Sequence, residues 1–542
     1  MLMMDTDVIV VGAGPTGLML AAELRLGGAR TLVLERQPRI SEIPKAGGLG
    51  GRILEVLRYR GLLDRFTAAS AEPRPRPVFP FGGIHLDFTG LTDSPLHALP
   101  LRQAQLERLL DERAAELGAE VRRGHEVLGV HQDDDAVVAD VRGPDGGTSR
   151  VRARYLVGCD GGRSRVRELA GIGFPGTTYP EVNRLGQVAV PESVARAGDG
   201  GLEIPGLGRV GWGFTRTERG LFALSPTRDG NFFVFTTEDT VPDVDDDTPM
   251  TLAELGDSVE RVLGARLPMH EPRRLSRFTF QARHADRYRE GRILLAGDAA
   301  HLLPATGAAL NLGMTDTVNL AWKLAAAVHG WAPTGLLDTY QDERHAAGAR
   351  ALLQTQAQVA LRRGHDAAAE ALRTVFQELC TEESALLRMG ALIGGSDVRY
   401  PSPHANADAD ASPQPHALTG TFAPDLALHP ASARGNTEQG VASIAELMHG
   451  ARPVLLDLAG RTELREIAGE WRTRVDVCTA KFAAADGHRP ADALLIRPDA
   501  HIAWAAGIDE PADSAAPALR EALSFWFGEP SRRVASEVDA GY

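Results

Sequence analysis

The sequence predicts an α/β protein of several domains, on three observations. At 542 residues the chain is too long for one compact core. Near residues 8–26, 155–167 and 292–301, a short buried strand runs into a turn, the beginning of a βα unit in a parallel sheet. A second alternation of strands and helical stretches follows a proline-bearing linker at 401–417. Composition agrees with a folded chain, at 43% hydrophobic and 24% charged residues. A formal net charge of −14 argues against a nucleic-acid partner. The three cysteines, Cys159, Cys380 and Cys478, have no CxxC or CxxH spacing. Neither a disulfide scaffold nor a thiolate metal site is expected, and no metal at all. No apolar run reaches the roughly 18 residues a membrane helix needs, and no basic-then-apolar leader opens the chain. A cytoplasmic protein without a membrane partner is expected.

The first element is a strand over 8–11, followed by a helix from Pro15 with an apolar face of Leu18, Leu20, Ala21 and Leu24. Between them stands Gly12-Ala13-Gly14-Pro15-Thr16-Gly17. Gly12 permits the tight turn, Gly14 lets backbone approach a pyrophosphate, and Gly17 lets helix and strand pack closely. The helix N-terminus then offers N–H groups and partial positive charge to phosphates. The next strand ends at Glu35, about 20 residues beyond the cradle, where a carboxylate reaches ribose hydroxyls. Strand, glycines, helix, strand and acid in register predict a Rossmann-like dinucleotide site. Two later strands also end in acids, at Asp160-Gly161 and Gly297-Asp298. Acids at the carboxyl ends of strands face the ligand crevice of an open α/β sheet. Asp298 can there accept from a polyhydroxyl chain, which a flavin has and a nicotinamide dinucleotide lacks.

Residues 209–214 and 231–236 alternate as strands, with a turn signal at Arg228-Asp229-Gly230, and predict a mostly antiparallel sheet. Trp212, Phe214, Phe233 and Phe235 either line an aromatic pocket or build core. From 336 to about 393 the chain is alanine-rich and helical. After the linker, strands near 454, 475 and 493 alternate with helices in a pattern that resembles a thioredoxin-like fold. Cys478 has no resolving partner, so disulfide exchange is not its task. The expected domains are 1–175 with 280–400 for the nucleotide, 176–279 for the antiparallel sheet and 415–542 for the thioredoxin-like tail.

These motifs resemble the group A flavin monooxygenases of the para-hydroxybenzoate hydroxylase fold. Along its whole length the chain is similar to the aromatic polyketide hydroxylases, which carry the extra thioredoxin-like domain. The likeness rests on GxGxxG with Glu35, on Asp160-Gly161-x-x-Ser164-x-Val166-Arg167, and on Gly297-Asp298. It extends through residues 50–61, through Gln103-Ala-Gln-Leu-Glu-Arg-Leu-Leu, and through Asn311-Leu-Gly-Met-Thr-Asp316-x-x-Asn319-Leu-Ala-Trp322-Lys323.

The resemblance implies that Glu35 and Arg36 hold the adenosine side of FAD, Gln103 the ribityl-pyrophosphate region and Asp298 the ribityl chain. It assigns Asp160 to a motif serving both FAD and NADPH. Pro304 and the loop through Gly307, Ala308, Ala309 and Leu310 to Asn311 would lie against the flavin ring. A helix beginning near Asn311 would point its positive end at negative charge on reduced flavin. Two positions depart from the family pattern. Thr306-Gly307-Ala308-Ala309 replaces Gly-Gly-Gln-Gly, losing two residues free to adopt φ > 0. Lys45 replaces an arginine, keeping the charge without bidentate geometry.

The implied function is hydroxylation of a polycyclic aromatic polyketide, with FAD, NADPH (or NADH) and O2, through a hydroperoxyflavin. No catalytic side chain is assigned, because the chemistry is flavin-borne. Baeyer–Villiger oxygenation on the same scaffold and a non-catalytic FAD-binding assembly partner are the alternatives. A homodimer is compatible with the sequence. Every FAD motif lies before residue 415, so the tail is expected to be dispensable for flavin binding.

Overall fold

In the computed structural model, which describes residues 4–42, 46–70, 74–192, 194–196, 201–204, 206–227, 230–238, 248–304, 308–364, 366–401, 415–430, 443–483 and 489–530, the glycine-rich strand lies inside a parallel sheet. The elements that frame the site are β1 (Val8–Val11), α1 (Pro15–Leu26), β2 (Thr31–Glu35), α2 (Gln103–Glu116), β3 (Glu120–Arg123), β4 (Tyr155–Gly158), β5 (Arg289–Glu290), β6 (Ile293–Leu295), α3 (Ala309–Val328) and α4 (Asp338–Arg362). The six-stranded sheet has the order β5-β6-β4-β1-β2-β3, antiparallel only at the β5–β6 edge. Every residue of β1 is buried, because the sheet is covered on both faces and its strands read as unbroken apolar runs. Helices α1 and α3 pack against one another beside it. A separate three-stranded antiparallel sheet, Glu126–Gln132, Val137–Arg142 and Thr148–Ala153, precedes β4.

The middle of the chain forms a six-stranded antiparallel sheet, in the order Gly213–Thr217, Gly220–Pro226, Phe232–Glu238, Gly176–Ala189, His270–His284 and His301–Leu302. Phe222, Val234 and Val188 share one core with Leu255, Val259 and Val262 of the helix Leu252–Leu263. That helix begins where the Thr251 hydroxyl accepts from the Glu254 N–H, and ends at left-handed Gly264. Arg216 ties the sheet to the end of α4, donating to the carbonyls of Arg362 (2.6 Å) and Leu361 (3.3 Å). His270–His284 runs unbroken through residue 279 and pairs with His301–Leu302, so the sheet joins the nucleotide region within one strand. At that junction the His284 Nε2 lies 2.7 Å from the Tyr288 hydroxyl, and its ring stacks on His345 at 4.0 Å.

The tail is a five-stranded mixed sheet, in the order Leu428–Pro430, Asp476–Phe482, Val454–Asp457, Ala493–Ile496 and Ile502–Ala506. Val454–Asp457 is parallel to Asp476–Phe482 and antiparallel to Ala493–Ile496, the mixed pairing of a thioredoxin-like fold. The buried core of Trp471, Leu519, Leu523 and Phe527 continues into Trp322 and Ala326 of α3. Most of the predicted linker falls outside the described residues.

Charge is buried between tail and α3. Arg497 donates to Glu343 (2.5 and 2.9 Å) and Asp499 (3.0 and 2.5 Å). Lys323 donates to Glu343 at 2.6 Å and to the Asn319 side-chain oxygen at 2.9 Å. Asn319 in turn donates to Glu343 (2.7 Å) and Asp499 (2.9 Å). Burial works against ionisation of Glu343, yet Arg497 and Lys323 hold its pKa down to about 2.

Removing one member of a buried ion pair leaves an uncompensated charge. Arg497→Met should therefore lower unfolding free energy by about 3–5 kcal/mol, read from the urea midpoint. Arg520→Ala, at a solvent-exposed pair with Glu470, should cost no more than about 1 kcal/mol. A pH effect should also appear. Burial and the facing His345 and His301 charges push the His284 pKa down to about 4. The unfolded chain, with histidine near 6.5, binds more protons between those values, so stability should fall as pH drops from about 6.5 to 4. His284→Gln should flatten that part of the urea midpoint–pH curve.

Candidate functional site

The sheet order places three acids along one edge. Glu35 ends β2, and Asp160 and Asp298 follow the carboxyl ends of β4 and β6, so all three stand at the same edge as the glycine turn after β1. Gly12 has φ +103°, and a Cβ there would stand 2.5 Å from the Cys159 carbonyl oxygen. A Cβ on Gly17 would meet the Gly12 carbonyl oxygen at 1.9 Å, so only glycine lets α1 start this close to β1. Gly14 has nothing within 4 Å of its Cβ position, and that open side faces a cavity.

The cavity has a volume of about 1720 Å³. Its wall takes in Gly12, Gly14, Pro15, Thr16, Glu35, Arg36, Gln103, Asp160 and Asp298, together with Ala308, Ala309, Leu310 and Asn311. The Glu35 carboxylate accepts from the backbone N–H groups of Ala13 and Gln37, both at 2.7 Å. Asp160 accepts from the Ser164 hydroxyl (2.5 Å) and the Val166 N–H (3.1 Å), and burial raises its pKa despite those bonds. Gln103 opens α2 and donates to Glu107 at 2.8 Å. Helix α3 begins at Ala309, two residues before the predicted start, and no side chain caps its first turn. The Asn311 side-chain oxygen accepts from the Gly50 N–H at 3.2 Å.

Other predicted positions stand elsewhere. Gly17 and Gly297 lie behind the wall, and left-handed Gly297 (φ +64°) packs against Thr16. Pro304 is buried outside the wall. Lys45, Thr306 and Gly307 lie outside the described residues. Of the four aromatic residues, Trp212 is in the wall and 54% exposed, whereas Phe214, Phe233 and Phe235 are not in it. Phe214 instead lies 5.8 Å from the Arg362 guanidinium.

Several features lacked a sequence-level assignment. Asp316, fully buried in α3, accepts from the Gly297 N–H (3.0 Å), His301 Nε2 (2.8 Å) and Arg344 (2.7 Å). Burial opposes its ionisation, but Arg344 and His301 keep its pKa below the ordinary value. The far wall comes from separate segments: Arg74 to Pro80, Leu96 to Pro100, Ser225, Gln354 and Gln358. Only the Arg74-Pro75-Arg76-Pro77 run carries a local signal. Among the described residues no cluster of three or more His, Cys, Asp or Glu is placed to hold a metal ion.

The open face at Gly14, the row of acids and the uncapped first turn of α3 fit a flavin dinucleotide. An FAD-binding domain model matches residues 5–355, and the model of the aromatic-ring hydroxylase C-terminal domain matches 416–530. The chain belongs to the FAD-dependent aromatic-ring monooxygenases. It is 40% identical to the 12-dehydrotetracycline 5-monooxygenase/anhydrotetracycline 6-monooxygenase of Streptomyces rimosus, over 97% of this chain and 100% of that one. It is 38% identical to the dialkyldecalin synthase of Streptomyces rugosporus, over 97% and 99%. The solved structure of CabE, an aromatic hydroxylase from angucycline biosynthesis, superimposes with a TM-score of 0.83 at 36% identity, over 97% and 100%.

Asp298 is exposed to the cavity, so its removal should leave the fold intact. Asp298→Ala should weaken FAD retention by about ten- to a hundredfold, the value of one charged hydrogen bond, measured by flavin release on dilution. Full flavin occupancy at every dilution would contradict a ribityl contact.

Proposed function

We propose that this chain is an NAD(P)H-consuming hydroxylase that inserts one oxygen atom of O2 into a polycyclic aromatic polyketide. One observation carries the reading. The same cavity runs from the glycine cradle, past the first turn of α3, to Ser225 of the antiparallel sheet and to Trp212, just before its first strand. Its 1720 Å³ exceeds the roughly 300–1,000 Å³ of a site for one drug-sized ligand, so a dinucleotide and a polycycle fit together.

FAD, when bound, supplies the redox and oxygen-activating chemistry that side chains lack. The chain binds and orients. Gly12 to Gly17 would bring backbone N–H groups to the pyrophosphate, with Gln103 at the ribityl-pyrophosphate region and Arg36 on the adenosine side. Glu35 accepts from ribose hydroxyls with the lone pairs left by its two backbone bonds. Asp298 accepts from the ribityl chain, and Asp160 fixes the turn after β4. Ala309, Leu310 and Asn311 aim N–H groups, which have no acceptor within the helix, at negative charge on the ring. The antiparallel sheet covers the far side and limits water.

The identity to a dialkyldecalin synthase along the same length favours a second reading, an FAD-holding scaffold that closes rings without net oxidation. Product stoichiometry separates the two. With a candidate polycycle, the hydroxylase should consume equimolar NADPH and O2 and release a product 16 mass units heavier, by the arithmetic of one added oxygen atom. A product isomeric with its substrate, formed without O2 uptake, would establish the second reading.

A further inference from the structure

The start of α3 is a partition between two cavities. Ala309 and Leu310 line the main cavity, Leu312 and Thr315 line a second of about 80 Å³, and Ala308 and Asn311 stand in both. A segment with a cavity on either side makes few packing contacts, so its hydrogen bonds decide where it stands. On one side the Asn311 side-chain oxygen accepts from the Gly50 N–H. On the other, Arg344 of α4 donates through Nη2 to the Leu312 carbonyl (3.3 Å) and the Thr315 hydroxyl (2.9 Å). Its Nε donates to Asp316 at 2.7 Å, and its Nη1 donates to the Tyr400 hydroxyl at 2.9 Å.

Tyr400 is held by the tail. It is buried, its N–H donates to the Gly420 carbonyl (2.8 Å), and the Gly420 N–H donates to the Ile502 carbonyl (2.8 Å). Gly420 has φ +81°, and a Cβ there would stand 2.2 Å from the Tyr400 carbonyl oxygen, so only glycine lets the two segments lie this close. The Tyr400 ring stacks on the His501 ring with centroids 4.0 Å apart, and the Arg497 guanidinium lies 5.2 Å from its centroid. Burial pushes the Tyr400 pKa up to about 12, so the hydroxyl stays neutral and keeps its lone pairs for Arg344. Phenylalanine would fill the same space and stack as well. What the hydroxyl adds is an acceptor for the guanidinium that holds α3.

We propose that Tyr400 is a positioning residue for the flavin: held by His501 and Arg497 of the tail, it orients Arg344, and Arg344 fixes the start of α3 against the ring. This rests on the reading given above, in which the first turn of α3 faces the flavin ring. The consequence is electrostatic. Reduction leaves negative charge on the ring, and helix N–H groups favour that charge most when they are aimed at it beforehand. Losing one bond of the Tyr400–Arg344 bridge lets the turn relax toward the second cavity, and reduced flavin then loses more than oxidised flavin. None of the tail's described residues lines the main cavity, yet the tail sets the midpoint potential of the cofactor held there.

The midpoint potential of bound FAD, measured anaerobically against a reference dye in the full-length FAD-loaded protein, tests this. Tyr400→Phe and Thr315→Val, each nearly isosteric, should each weaken the preference for reduced over oxidised FAD by about three- to tenfold. That is a fall of about 14–30 mV, at roughly 30 mV per tenfold for two electrons. The double variant should fall by clearly less than the sum, because both changes act through Arg344. His501→Leu should shift the potential in the same direction. Val475→Ala, in the tail core away from the bridge, should lower the urea midpoint and leave the potential unchanged. Asn311→Asp keeps the oxygen that accepts from Gly50 but brings negative charge into the turn, so it should lower the potential whether or not the bridge acts. If Asn311→Asp has the wild-type potential, the turn does not face the ring and that reading falls. If Asn311→Asp lowers it while Tyr400→Phe and Thr315→Val do not, the ring reading stands and the bridge is overturned. The proposal fails equally if the two shifts simply add, or if His501→Leu has no effect. It fails too if Val475→Ala shifts the potential as far as Tyr400→Phe, since general loosening then explains the change.

Discussion

Helix α3 is held by six buried charges, and the site depends on where that helix stands. Lys323, Arg344 and Arg497 oppose Asp316, Glu343 and Asp499, three of each sign, all essentially inaccessible. One pair member alone would be intolerable at that depth, whereas the balanced set satisfies its donors and acceptors internally. Asp316 holds the Gly297 backbone that ends β6, Asn319 reaches Asp499 of the tail, and the first turn of the same helix walls the cavity. The tail is thus bound to the helix whose first turn lines the cavity. The sequence places every cofactor motif before residue 415 and makes the tail look dispensable. The buried charges argue against that, because truncation would strip Glu343 and Lys323 of Arg497 and Asp499.

The two walls of the cavity are made in different ways. The cradle is mainly backbone: glycines whose side-chain space is filled by other main chain, N–H groups at helix starts, and acids fixed by strand order. The opposite wall is mainly side chains from segments far apart in the chain. A backbone site needs particular residues at particular spacings and leaves a pattern behind. A wall assembled from His97, Ser225, Gln354 and Gln358 leaves none.

That contrast explains what could be read from residues alone. Gly12, Gly14, Glu35, Asp160 and Asp298 were legible because the turn, the close approach and the strand ends each demand a residue type. The antiparallel sheet was legible from alternation, but of its four candidate pocket residues only Trp212 stands in the cavity wall. Phe233 pairs with Ser225, and Ser225 reaches the cavity while Phe233 does not. Alternation gives the face of a strand, and position along the strand decides what lies opposite it. The roles of Asp316, Glu343 and Arg497 were hidden for a similar reason. Their partners stand as much as 154 residues away along the chain, and nothing local marks a carboxylate that will be buried.

The exposed side of the far wall has a consequence for how such proteins diverge. Arg74, Arg76, His97 and Trp212 present their surface to the cavity rather than to packed core. Replacing residues of that kind usually changes stability by no more than about 0.5 kcal/mol. The cradle tolerates no comparable change, since a Cβ at Gly12 or Gly17 would collide with main chain. Mutation can therefore wander across the far wall at almost no cost to folding, while the glycine cradle stays fixed. A lineage built on this plan can explore new ring systems one residue at a time, without passing through an unfolded ancestor.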